Sequence, residues 1–262
     1  MHVTSLEYKN HQVFYDLEKY TVFYKQWALS VFRWVSPGTQ SIANIDSYTF
    51  SSLAGTIDSI HKTLKNGRIN DAWALVRKYS DSVIINIYSN IYLDHHFSVE
   101  NLVVDQINNW INGHSKLPGI KDMSQYILQC SDMKKANEVL IGSYKTYKAI
   151  RDRCNDHLHY NYYKHILLND NEIYIEKRCS LLDQVMHDIK YLFFLHFSYI
   201  SYIKEHYLSS NDYVDYLEFG EIPPENSQYW VAPFIQEMFE ELSKYRPEVA
   251  NFIREHTSMF LE

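Results

Sequence analysis

Between Lys148 and Ile166 the chain reads KAIRDRCNDHLHYNYYKHI, where Arg151, Arg153, His157, His159 and His165 crowd around Cys154. Residues of these types can do three kinds of chemistry. Histidines with acidic neighbours can hold a metal, a cysteine beside a base can attack an electrophile, and arginine with histidine can bind a phosphodiester and move its protons. The first two are poorly served here. His157 and His159 alternate and His165 follows at a distance, with no HExxH and no paired CxxC, so Asp152 and Asp156 read equally well as surface ion-pair partners. Cys154 has no identifiable third group to orient a base, and a small residue inside a helix reads as packing. Neither a metal nor a cofactor is expected. A solvated helix end, with basic residues favourable in its last turn, is the plain alternative to any chemistry.

The elements that must position these side chains are helices. The chain has 262 residues, enough to bury a sizeable core, and its seven Gly and six Pro supply few breakers. Twenty-three Tyr and an aromatic content of 16% provide large side chains that pack and still hydrogen-bond. Residues 5 to 33 carry Val13, Phe14, Leu17, Tyr20, Phe23, Trp27, Ala28 and Val31 at helical spacing, ended by SPGTQS. From 48 to 65 Phe50, Leu53, Ala54, Ile57, Ile60 and Leu64 repeat the stripe, and KNGR supplies a glycine stop. Asn70 or Asp71 can cap the next helix, which runs to about 93 and pairs with its predecessor as an antiparallel hairpin. A short helix is expected near 99–112 and a further turn near 123–130, longer helices over 131–157 and 173–207, and two more over 231–244 and 247–256. No segment sustains a period-two alternation. The expected fold class is therefore all-α, a helical domain over 1–210 with a C-terminal helical appendage over 211–262 packed on it.

A formal net charge of −7 argues against a general nucleic-acid coat. The charge is uneven, however: between 134 and 165 seven Lys or Arg face Glu138, Asp152 and Asp156, a local excess of +4. Cys130, Cys154 and Cys179 are odd in number and lack CxxC spacing, and no cleavable apolar segment follows Met1, so a reduced, cytoplasmic setting is expected. The longest apolar run, YLFFLHFSYI, is interrupted by His196 and falls well short of the ~20 residues that span a bilayer. No membrane partner is expected.

RDRCNDH, residues 151 to 157, resembles the signature of HEPN domains, an Arg followed by a polar residue and then by a His after four to six positions. Arg151 matches the Arg, Asp152 the polar position and His157 the His. A second frame, Arg153 to His159, has the same spacing with Cys154 as a poorer polar follower. The resemblance covers roughly 48 to 207 and leaves the first helix and the tail outside. It implies an all-α homodimer whose two motifs face each other to form one composite, metal-independent RNase site, of the sort frequent in toxin–antitoxin, abortive-infection and phage-defence systems. It also implies a possible antitoxin or defence-system partner.

Such an enzyme must take the 2′ proton, protonate the leaving 5′ oxygen and steady the phosphorane charge. Histidine suits the proton steps, and arginine holds phosphate oxygens with a two-donor fork. On this reading Arg151 and His157 are the catalytic pair and Asp152 orients either of them. Arg153, Asn155, His159 and Tyr160 are substrate contacts, and Tyr162 and Tyr163 offer stacking surfaces for bases. Arg77 and Asp81 form a helix ion pair that could support the site, while Asp94, His95 and His96, read as lying after the helix, could contact RNA or simply be exposed. The aromatic residues of SQYWVAPF read as docking the C-terminal helices. Arg151 and His157 lie six positions apart, about 240° around an ideal helix, so one straight helix does not bring them together and a twofold partner would have to. Two rivals remain: a catalytically silent helical binding or regulatory module, and a HEPN partner of a nucleotidyltransferase in which a tyrosine near the motif is modified.

Overall fold

A computed structural model describes residues 1–31, 41–141 and 144–262, and among them the backbone is helical with no strand. One isolated antiparallel bridge joins Ser209 to Val231. In chain order the helices are α1 (Leu6–Lys9), α2 (Gln12–Val31), α3 (Ile45–Lys65), α4 (Ile69–His96), α5 (Asp105–Ile111), α6 (Ile120–Gln129) and α7 (Lys134–Leu140). They continue with α8 (Tyr144–Leu158), α9 (Tyr163–Leu167), α10 (Arg178–Ile203), α11 (Asn211–Glu218), α12 (Ser227–Trp230), α13 (Pro233–Tyr245) and α14 (Pro247–His256). The all-α expectation is met. Residues 32–33 and nearly all of SPGTQS lie outside the described residues, as do 142 and 143 within the helix expected over 131–157.

Two compact units divide the chain: Met1–Asn86 with Ser143–Phe193, and Ile87–Gly142 with Phe194–Glu262. The boundaries fall inside α4 and α10, and residues 211–262 belong to the second unit together with 87–142 and 194–210.

In the first unit, the apolar stripe of α2 is buried along its whole length. Trp27 stacks on Phe50 of α3 with ring centroids 4.4 Å apart, and Tyr20 stacks on Phe193 of α10 at 4.0 Å. The hydroxyls of buried Tyr24 and Tyr79 meet at 3.0 Å, so neither phenol is left unsatisfied. Asn86 Nδ2 donates to Asp46 Oδ1 across 2.6 Å, which sets the start of α3 beside a late turn of α4 and makes the pair antiparallel. Asn70 does not cap α4. The helix begins one residue earlier, at Ile69, and the Asp71 N–H is instead taken by Asn169 Oδ1 at 3.0 Å.

The helix expected from 173 starts only at Arg178. Asp170 Oδ1 accepts from the N–H groups of Glu172 and Ile173, a local turn that competes with helix. Fully buried Arg178 then donates to the carbonyls of Asp170 and Ile173, fastening the loop it follows.

In the second unit, Tyr199 of α10 donates to Asn137 Oδ1, and Asn137 Nδ2 donates to the Ile127 carbonyl at 2.7 Å, joining α10, α7 and α6. Arg246 donates to the carbonyls of Val139 and Leu140, covering the open C-terminal end of α7. Pro233 and Pro247 occupy first-turn positions of α13 and α14, where a missing N–H costs nothing. Ser210 caps α11 by accepting from the Tyr213 N–H at 3.0 Å. This helix is not among those expected from the sequence; it carries Tyr213, Tyr216 and Leu217 at helical spacing but buries none of them.

The turn between α3 and α4 rests on Gly67, whose φ of +77° is in the left-handed region. A Cβ there would lie 2.5 Å from a methyl of Val3 and 2.9 Å from Cβ of Asn171. Gly67→Ala is expected to lower the unfolding free energy by about 2 kcal/mol, through backbone strain and the clash together. Urea unfolding of the two proteins side by side measures it.

Candidate functional site

Helix α8 is built around a buried stripe of Tyr147, Ile150 and Cys154, and its candidate residues fall on the two flanks and the outer face. Burial pushes the Cys154 thiol up to about 12, which keeps it protonated and leaves it as packing.

On one flank lie Arg153 and His157. The Arg153 guanidinium forks onto Asp188 of α10, with Nε at 2.8 Å from Oδ2 and Nη2 at 3.2 Å from Oδ1, and sits 5.7 Å over the Trp73 ring. Asp188 is wholly buried and also accepts from Gln184 at 3.0 Å. His157 is only 5% exposed. Its ring is sandwiched between Trp73, at 5.0 Å, and His165, at 4.0 Å. Its Nδ1 lies 2.9 Å from Asn70 Oδ1, an atom that can only accept, so Nδ1 carries the proton. Burial, with His165 close by, pushes the His157 pKa down to about 3 and holds the ring neutral.

On the other flank lie Arg151 and Asn155. Arg151 Nη1 donates to Asp81 Oδ1 at 2.9 Å, and Arg77 Nε donates to Asp81 Oδ2 at 3.1 Å, so one carboxylate is shared by two guanidiniums, one on each oxygen. Arg77 Nη1 also donates to Asn155 Oδ1 at 3.0 Å. Burial pushes the Asp81 carboxyl up, and the Arg77 and Arg151 guanidiniums in contact with it pull it part of the way back. Among the described residues Arg151 Nε and Nη2, Arg77 Nη2 and Asn155 Nδ2 meet no acceptor.

The outer face carries Asp152 and, just past the helix end, His159, both exposed. Beyond them the chain reverses through Tyr160, whose φ of +49° is unusual for a side chain of that size. Asn161 holds the reversal by donating to Asp156 Oδ1 at 2.7 Å, and Asn169 Nδ2 reaches the Tyr160 hydroxyl at 3.2 Å. Tyr162 and Tyr163 are exposed, with the Lys164 ammonium 5.3 Å over the Tyr162 ring.

The structure thus joins Arg151 with Asn155, and Arg153 with His157, but within one chain it does not bring Arg151 to His157 or Arg153 to His159. The Arg77–Asp81 pair forms at its i,i+4 spacing and becomes part of the site through Arg151. Trp230 packs against Phe260, beyond the end of α14, and against Tyr213 of α11. Asn70, Trp73 and Asp188 are partners that reading along the sequence missed. Asp188 had a signal, because it falls on the apolar stripe of Val185, Ile189 and Leu192, where a carboxylate requires a cation; Trp73 had none. Among the described residues no group of three or more His, Cys, Asp or Glu is arranged to hold a metal. The chain matches no family model, no curated protein and no solved structure.

Because folded His157 takes up its proton only near pH 3 while an unfolded histidine does so near 6.5, the unfolded state binds more protons between these values. Stability is therefore fully present above about pH 6.5 and falls as the pH drops below it. Chemical unfolding at pH 7 and pH 5 should show this loss, and His157→Gln should make the difference between the two pH values smaller.

Proposed function

We propose that the chain acts on RNA as a metal-independent endoribonuclease of the HEPN-like kind, working as a homodimer in a toxin–antitoxin or phage-defence setting. The observation that carries this reading is the open side of the Asp81 clamp, where Arg151, Arg77 and Asn155 present unused donors. Two guanidiniums against one carboxylate leave a positive excess, and free fork edges match the non-bridging oxygens of a phosphodiester. Exposed Lys145 and Lys148 extend the positive side of α8, and Tyr160, Tyr162 and Tyr163 offer faces for unpaired bases.

In this proposal Arg151 and Arg77 hold the phosphate, and His159, exposed at the end of α8, carries the proton transfers. Asp152 shares the outer face and orients His159. His157 is a positioning residue: neutral, enclosed and tied to Asn70, it fixes where α8 ends. Arg153 does likewise through Asp188. The enclosure of His157 favours one second reading, a catalytically silent helical module that binds through the same open donors.

The test is cleavage of a short single-stranded RNA in EDTA. Arg151→Ala and His159→Ala are each expected to lower the rate by about 10²-fold or more with little change in the thermal midpoint. Full activity in a folded His159→Ala protein, with loss in His157→Gln, would return the proton step to His157. RNA binding without cleavage by the unaltered protein would establish the silent module.

A further inference from the structure

A separate cluster of nucleophile, base and orienting groups lies in the second unit, where the last turn of α4 meets the end of α6. Cys130 ends α6, its N–H donating to the Tyr126 carbonyl at 3.0 Å. Its Sγ lies 3.5 Å from Nε2 of His95. The other ring nitrogen, Nδ1, is 3.0 Å from the Tyr126 hydroxyl. Tyr126 packs against Tyr88 and Tyr92 with ring centroids 5.3 and 5.7 Å away, and Gln106 donates to the Tyr88 hydroxyl at 2.8 Å, so the phenol that orients His95 is itself held. Asp132 Oδ2 stands 3.4 Å from His95 Nε2. A thiol within reach of an imidazole whose far nitrogen is oriented by a third group is the arrangement that activates a nucleophile.

We propose that Cys130 is a reactive thiol, activated by His95, and a site of reversible modification by low-molecular-weight disulfides. The Cys130 proton passes to His95 Nε2, and the imidazolium so formed is stabilised by the Asp132 carboxylate and by the Tyr126 oxygen accepting from Nδ1–H. The thiolate attacks one sulfur of the disulfide; a new S–S bond forms to Cys130, the old one breaks, and the leaving thiolate takes the proton from His95. No oxidant beyond the disulfide is consumed. Asp132, whose side chain is 75% exposed, borders the cluster; Cys130 itself is buried at 8%, more open than Cys154 and less open than Cys179. Cys154 and Cys179, whose thiols burial pushes up, serve as internal references.

The experiment exposes the full-length protein to glutathione disulfide at neutral pH and maps each cysteine by mass over time. Cys130 is expected to form its mixed disulfide at least about tenfold faster than Cys154 or Cys179, and dithiothreitol should reverse it. His95→Gln should slow Cys130 by about tenfold, and Asp132→Asn, at a side chain too exposed to affect folding, by a few-fold, while Cys179 keeps its rate. Cys130 reacting no faster than Cys179, or at an unchanged rate in His95→Gln, would overturn the activation. Rapid capture by iodoacetamide with no glutathione adduct would overturn the disulfide as co-reactant.

Discussion

The enclosure of a neutral imidazole is the interaction on which the candidate site depends. His157 lies flat between Trp73 and His165 and is tied by Nδ1 to Asn70, so the end of α8 is pinned to the start of α4 and to α9 at once. With that ring turned inward, helix geometry assigns every other side chain of the motif. Arg153, four residues earlier, must share its flank and meets Asp188, while Arg151 and Asn155 must take the opposite flank and meet α4. Charging the imidazole would require solvating a cation inside an aromatic sandwich, which is why burial outweighs every nearby charge on its titration.

Two carboxylates receive arginines from α8, and the contrast between them separates scaffold from site. Asp188 is wholly buried and takes a full fork from Arg153, which uses up that edge of the guanidinium; removing Arg153 would strand the buried carboxylate. Asp81 is bracketed by two arginines and lies partly open, so the pair of cations exceeds the anion and retains unused donors. The net charge of −7 does not cancel this local excess. At physiological ionic strength charges farther than about 8 Å are largely screened, while at an effective dielectric near 20 a phosphate about 4 Å away would gain roughly 4 kcal/mol from one unit of positive charge before desolvation.

The fold was readable because α2, α3 and the first turns of α4 each bury one unbroken stripe, and a period of 3.6 survives in Phe14, Leu17, Trp27, Phe50, Leu53 and Ile57. What escaped was local. The start of α10 moved to Arg178 because an aspartate turn and a buried guanidinium, both side-chain effects, overrode helix propensity. The site was half legible: the sequence marks Arg151, Asn155 and the Arg77–Asp81 pair, and helix spacing already separated Arg151 from His157. That His157 faces inward was not legible, since its neighbours Trp73, Asn70 and His165 come from other elements and no pattern within 151–159 encodes them. Cys130 and His95 meet for the same reason, across 35 positions of sequence.

On the ribonuclease reading, the positions of Arg151 and His159 also say what kind of dimer would work. The two lie eight residues apart, roughly 12 Å along an ideal helix, too far for one phosphorus to be gripped by the first and deprotonated by the second in the same chain. Asn155 is the midpoint. A twofold axis passing near it would lay a second α8 antiparallel to the first and exchange the ends, setting each Arg151 beside the His159 of the other copy. Such a dimer places two forks and two imidazoles along one groove with Asn155 at its centre. An axis near either helix end would instead oppose arginine to arginine or histidine to histidine, leaving like charges facing and the phosphate and proton steps on separate molecules. On that reading helix rise argues for a composite site, and an antiparallel pairing centred on Asn155 would supply it.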